Sequence, residues 1–228
     1  MKFFRFCGKE LVNGQCDCDA FQQARAEFKH ITCPCCSKEV NIPLGKFSTG
    51  FDFNYSILIN SQTEFFDLVD ICPECGLAML FDNGVSDEMR EYIKSAEYRN
   101  ILNNNEIEYG LKKWILLAMV SENDENYTEA GIAYMKAYDY LELKDMELDQ
   151  RLIEKAASCF LSAVEEYTSF IDAFLAVDCM RRDGEMEEAK RFLETISSTF
   201  SGELVDELVW KEEAWINLKD KKKRYLEI

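Results

Sequence analysis

The chain has 228 residues, 47% of them hydrophobic, and its 43 acidic and 26 basic side chains leave a net charge of −17. That apolar content suffices for one larger core or two modest ones, and the charge repels nucleic-acid phosphate and anionic lipid. No run of about 18 apolar residues is present to span a membrane, and no basic-then-apolar leader opens the sequence. A cytoplasmic setting is therefore expected, where clustered thiols are more often metal ligands than disulfides. The charge is uneven, −3 over residues 1–80 and −14 over residues 81–228.

Residues 1–30 carry Phe6-Cys7-Gly8 and then Cys16-Asp17-Cys18. This resembles a small bacterial zinc ribbon whose first knuckle reads C-x-x-C-G. Phe4 stands where its first cysteine belongs, and the second knuckle has contracted. Cys7, Cys16 and Cys18 form a second metal site if His30, Cys35 or water supplies a fourth ligand; otherwise they are the relic of a decayed ribbon. Phe21, Ala24 and Phe28 recur at helical spacing, predicting a short linker helix between Asp19 and His30.

Residues 31–81 hold the strongest signal, Cys33-Pro34-Cys35-Cys36 answered by Cys72-Pro73-Glu74-Cys75. Two C-x-x-C pairs supply the four soft thiolates a tetrahedral structural Zn²⁺ prefers. The cysteine triplet allows other registers, but Cys33 and Cys36 keep the two-residue gap and match the proline position of the second pair. Gly76 suits a knuckle that needs backbone without a side chain. Ser37 fills the equivalent place, tolerable where the backbone is not left-handed. Tyr55–Ile59 and Phe65–Ile71 have strand composition, and Leu77 to Phe81 reads as a return strand or a seam to the helices. One small antiparallel sheet carrying both knuckles is expected. Four closed thiolates leave no open catalytic position, and two lysines, Lys38 and Lys46, are too few for a nucleic-acid-reading ribbon.

Residues 86–228 read as helices. Ser86 with Asp87 and Glu88 is a helix start, and Met89, Tyr92, Ile93, Ala96, Ile101 and Leu102 predict a single buried stripe. Helices follow over about 106–121, with Trp114, Leu117 and Ala118, and over 128–143, with Ala130, Tyr134 and Ala137. This hairpin resembles a tetratricopeptide repeat, with Ser121 in place of the usual tyrosine. A second hairpin carries Ala173, Ala176, Val177 and Met180, a turn at Arg181-Arg182-Asp183-Gly184, then Ala189, Leu193 and Ile196. The two are offset by 59 residues instead of about 34, and the helix-patterned run from Leu148 to Tyr167 fills the difference. A last helix from Glu203 to about Lys219, with Leu204, Leu208, Trp210, Ala214, Trp215 and Leu218, is expected to cap the array. Cys159 and Cys179 fall at apolar helical positions and read as buried residues. Lys221-Lys222-Lys223-Arg224 reads as a solvated helix end.

The order Thr32-Cys33-Pro34-Cys35-Cys36, a hydrophobic strand entering Cys72-Pro73-Glu74-Cys75-Gly76, and then helices resembles an uncharacterised bacterial family of zinc-ribbon and tetratricopeptide-like proteins. The resemblance implies an α+β, predominantly α fold: a zinc-ribbon-like antiparallel sheet followed by a tetratricopeptide-like helical array. It implies a metal and a fold, and no activity. Adjacent acids such as Glu165-Glu166 and Glu187-Glu188 point in different directions on a helix, which is wrong for an acid and base facing one bond. With one histidine in the chain and no phosphate loop, the sequence points to a non-enzymatic, zinc-stabilised interaction module that receives an unknown protein partner in a helical groove. The alternatives are a nucleic-acid-associated regulator and a thiol-based redox or metal sensor using Cys7, Cys16 and Cys18. Tyr92, Tyr98, Tyr109, Tyr127 and Tyr140 are the first candidates for a docking patch.

Overall fold

The computed structural model describes residues 28–43, 69–80 and 84–222; of Phe28, Lys29, His30, Ile42, Pro43 and Leu80 only the backbone is described. Residues 28–43 and 69–80 belong to one compact unit and residues 85–222 to another.

The first unit contains two antiparallel hairpins among the described residues. β1 (Phe28–Thr32) pairs with β2 (Glu39–Pro43), from Phe28 opposite Pro43 to Thr32 opposite Glu39. β3 (Val69–Ile71) pairs with β4 (Ala78–Leu80), with Ile71 opposite Ala78. Each knuckle thus closes its own two-stranded sheet, instead of both sharing one. Phe28 to His30, expected at the end of a linker helix, lie in β1, where backbone pairing with β2 overrides their helical spacing. Ile31 and Thr32 lead directly into Cys33, and Val69 to Ile71 into Cys72, as the sequence indicates. The rest of the expected linker helix and the expected strands at residues 55–59 and 65–68 lie outside the described residues.

The second unit is a stack of eight helices among the described residues. Ser86 accepts a hydrogen bond from the Met89 amide at 3.0 Å and opens α1 (Asp87–Tyr92). The single helix expected through Leu102 is broken, because the Ser95 side chain accepts from the Tyr98 amide and starts α2 (Ala96–Asn103). Ala96 is exposed as a result, and Tyr98, a docking-patch candidate, is fully buried edge-on to Tyr92, with ring centroids 6.0 Å apart.

Then come α3 (Tyr109–Asn123), α4 (Tyr127–Leu143), α5 (Gln150–Glu166), α6 (Phe170–Asp183), α7 (Met186–Thr199) and α8 (Glu203–Asn217). From α3 onward each packs on the next, and α1 and α2 pack on α3. The array is tetratricopeptide-like, and α5 is a full member of the stack instead of filling between two hairpins. Trp114, Leu117, Ala118, Ala130, Tyr134 and Ala137 are all buried, as the repeat signature requires. Ser121, in the usual tyrosine's place, donates to Glu129 Oε2 at 2.6 Å and ties α3 to the first turn of α4. Gly131 lets α5 approach α4, since a Cβ there would lie 2.8 Å from the Phe160 ring. Gly184, at φ 104°, ends α6 in the left-handed conformation that glycine adopts freely.

α8 buries only part of its apolar set. Leu208 and Ile216 are buried, and Trp215 is half-buried against the cluster of Phe174 and Leu208, but Trp210 and Leu218 face solvent. Leu208, Glu212 and Ile216 recur every four residues and define the buried face. Trp210, two residues from Leu208, falls nearly opposite it.

Candidate metal centre

The two knuckles are built alike. In the first, the Cys33 amide donates to the Lys38 carbonyl at 2.8 Å and the Ser37 amide to the Cys33 carbonyl at 2.9 Å. In the second, Cys72 donates to Leu77 at 2.8 Å and Gly76 to Cys72 at 2.9 Å. These bonds curl each chain so that both cysteines of a pair project to one side. Gly76 has φ 83° and Ser37 φ 58°, so both knuckles pass through the left-handed region. The condition under which serine would be free of cost is not met, because its Cβ crowds the backbone there. Ser37→Gly is accordingly expected to stabilise the first unit by about 1 kcal/mol. Chemical denaturation of the zinc-loaded variant, followed by the amide signals of residues 28–43, checks this; unchanged stability would show that the left-handed serine carries no strain.

The Sγ atoms of Cys33, Cys36, Cys72 and Cys75 all lie within 4.8 Å of one another. Cys33 and Cys75 are 3.8 Å apart, and Cys36 and Cys72 3.9 Å. Four sulfurs at Zn–S distances of about 2.3 Å from a tetrahedral centre stand about 3.8 Å from each other, so these donors fit a single zinc-sized cation. Among the described residues this is the one such cluster. Cys35 sits half-buried in the first turn and is not part of it.

The electrostatics agree with a cation site. Burial pushes the Cys33 thiol up to about 11 against the pull of the Cys36 and Cys35 amides, with Cys72 and Cys36 adding to the rise. Burial likewise raises Cys75 well above the ordinary thiol range, opposed by the Leu77 amide and reinforced by Cys72 and Cys33. At Cys36 the upward push of burial is outweighed by the Lys38 amide and by hydrogen bonds from Cys33, Cys72 and Cys75, and its thiol is lowered. Four thiols packed this closely can all ionise only around a positive charge. The knuckle amides are already aimed at the sulfurs whose charge they would spread.

Cys7, Cys16 and Cys18, the proposed second cluster, lie outside the described residues. His30 is in β1 opposite Asn41, with its side chain outside them too. Cys159 and Cys179 are buried. Burial, with Glu122 next, pushes the Cys159 thiol up to about 12, and burial holds Cys179 far above the ordinary range. Both are core residues with no thiolate character. Glu165, Glu166, Glu187 and Glu188 are exposed.

A buried ionic cluster was not foreseen. Arg181 and Arg182, expected in a turn, belong to the last turn of α6 and are sealed from solvent. Arg181 Nε donates to Glu212 Oε1 on α8 at 2.6 Å, and its Nη1 donates to the Lys222 carbonyl at 2.9 Å and to that of Asp220; its Nη2 pairs with Asp178. Arg182 Nη2 donates to Asp139 Oδ1 on α4 at 2.6 Å and lies over the Tyr138 ring. Glu212 is fully buried, and its Oε2 has no hydrogen-bond partner among the described residues. Burial, and then the Asp178 charge, push its carboxyl up to about 8 in spite of Arg181. The available signal was an acid at the centre of the Leu208–Ile216 stripe.

Among the described residues no helix is long and apolar enough to cross a membrane. Comparison of the chain with family models, with curated proteins and with solved structures gave no match.

Proposed function

We propose that Cys33, Cys36, Cys72 and Cys75 hold one structural Zn²⁺ and that the chain is a non-enzymatic scaffold, offering its helical array to a protein partner. The spacing of the four sulfurs, 3.8 and 3.9 Å across two pairs, carries this reading. Four thiolates fill a tetrahedral shell and leave no position for a substrate or an activated water. The acidic helical unit suits a basic segment of a partner better than nucleic acid. We read the organisation as an amino-terminal segment over 1–30, a ribbon over 31–81 and the helical domain over 86–228. The order of these parts supports kinship with the uncharacterised bacterial family the chain resembles, and a cytoplasmic setting.

Elemental analysis of protein purified under reducing conditions, with and without Cys7, Cys16 and Cys18 replaced by serine, tests the metal content. One zinc per chain in both proteins is expected from the cluster alone. Two falling to one would establish the second site that those cysteines, with His30, form in the other sequence reading. No zinc in either would overturn the proposal.

A further inference from the structure

Beyond α8 the chain turns back onto the end of α6. Lys219, at φ 51°, closes the helix in the left-handed conformation, and the Asp220 amide donates to the Trp215 carbonyl at 2.9 Å. Residues 219–222 then form a strap along the α6–α7 turn. Asp220 Oδ1 accepts from the Lys222 amide at 3.0 Å and bends the strap, so that the Asp220 and Lys222 carbonyls both accept from Arg181 Nη1, the second at 2.9 Å. Between them Lys221 Nζ donates to the Asp183 carbonyl at 3.1 Å. Its methylenes lie on Gly184, where a Cβ would stand 2.5 Å from Lys221 Cε.

The seat is rigid and the strap is not anchored. Arg181 is sealed from solvent, held by Glu212 of α8 and by Asp178 of its own helix, with its guanidinium carbon 5.4 Å from the centre of the Trp215 ring. Asp183 is half-buried beside the lysine; burial, and then the charges of Glu154 on α5 and Glu185, raise its carboxyl in spite of Lys221. Carboxylates that repel one another in this way favour a cation among them. By contrast no side chain over residues 217–222 is buried. Two backbone carbonyls and one ammonium hold the strap, without an apolar anchor. Any segment that bends the same way around a lysine offers the same groups.

We propose that Arg181 and the α6–α7 turn form a binding site for a lysine-bearing peptide segment of a protein partner, and that residues 219–222 occupy it as a built-in competitor. The inference rests on the scaffold reading above and names the place on the array and the chemistry it takes. Arg181 holds the two carbonyls that flank the lysine, Gly184 makes room for its methylenes, and the acids of the turn reject a carboxylate at that position.

Fluorescence anisotropy of a labelled, end-blocked peptide copying residues 219–224, titrated with the full-length zinc-loaded chain in about 0.15 M salt, tests this. In the wild type the strap competes with the advantage of a tethered ligand, so the peptide is expected to bind weakly. Lys221→Glu sets an acid against Asp183 and Glu185, frees the site and should lower Kd at least about tenfold. Lys219→Glu makes the same change in net charge on an exposed lysine that gives no hydrogen bond to the turn, and should change Kd less than about twofold. Adding Asp183→Asn and Glu185→Gln to Lys221→Glu should remove most of the gain and keep the helical signal. Equal affinity in wild type and Lys221→Glu, an equal gain from Lys219→Glu, or a gain that survives the loss of both acids would overturn the proposal. Absence of binding throughout would overturn it too. Zinc measured on the same samples keeps the two readings apart: failure of the peptide with one zinc per chain strikes this site alone, whereas protein without zinc strikes the scaffold reading beneath it.

Discussion

Cys72→Ser is expected to lose the metal and, with it, the fold of the two hairpins. A serine hydroxyl at neutral pH is protonated and hard, so it replaces a thiolate poorly at zinc. The three remaining thiolates cannot close the tetrahedron. Strands of three and five residues bury too little to stand alone as two-stranded sheets. Metal binding to a structural site is worth about 10–16 kcal/mol in small zinc domains, and in such domains that energy is the folding energy. Zinc content should therefore fall from one to near none, and the amide shifts of residues 28–43 and 69–80 should collapse to unfolded values, while the helical thermal transition persists. Cys35→Ser, outside the cluster, should keep both metal and shifts. A Cys72→Ser protein that retains its zinc and its hairpin shifts would sink the assignment of this ligand.

Arg181→Met should cost the helical unit about 2–3 kcal/mol at neutral pH, the penalty of leaving buried polar groups unsatisfied. The Glu212 carboxyl, already pushed up to about 8, takes a proton when its cation is removed. The abandoned group is Glu212, fully buried, whose one hydrogen-bonded oxygen is held by Arg181 Nε at 2.6 Å. The carbonyls of Asp220 and Lys222 lose their donor at the same time. Arg181→Met combined with Glu212→Leu should recover a large part of the loss, because no buried carboxyl is then left without its partner. A double-mutant cycle by denaturant unfolding, followed through the helical signal, measures the coupling, expected at about 2 kcal/mol or more. A loss below about 1 kcal/mol in the single variant would mean that water or another side chain solvates Glu212.

How far the sequence carried depends on what kind of signal each residue leaves in it. The convergence of Cys33, Cys36, Cys72 and Cys75 was legible because two C-x-x-C pairs keep a spacing that suits one cation, and the spacing survives as text. Trp114, Ala118, Ala130 and Tyr134 were legible for a related reason: close helix packing fixes which positions are small and which are large. Ser95 was passed over since a cap inside an apparently continuous apolar pattern looks like any polar surface residue, and Tyr98 followed it into the core unnoticed. Arg181 and Arg182 sit before Asp183-Gly184, a sound turn signal that drew them into the loop by association. Their burial depends on Asp139 and Glu212, which the chain brings from two other helices and no local pattern connects; only Asp178, three and four residues before them on the same helix, is a local partner. In α8 the same difficulty worked in reverse. Its apolar residues do not fall on one face, and the stripe that is buried, through Leu208, Glu212 and Ile216, has an acid at its centre.

A cation held by the four sulfurs would join the matched hairpins across the 36 residues from Cys36 to Cys72. In the unfolded chain, a cross-link closing a loop of that size removes conformational entropy worth about 4 kcal/mol. The cost of closure grows only with the logarithm of loop length, about 0.6 kcal/mol for each doubling. The centre is therefore nearly indifferent to how much chain lies between its halves. Insertions or deletions of a few residues between β2 and β3 change the closure term by less than thermal energy, leaving that interval open to variation in length while the sulfurs keep their places.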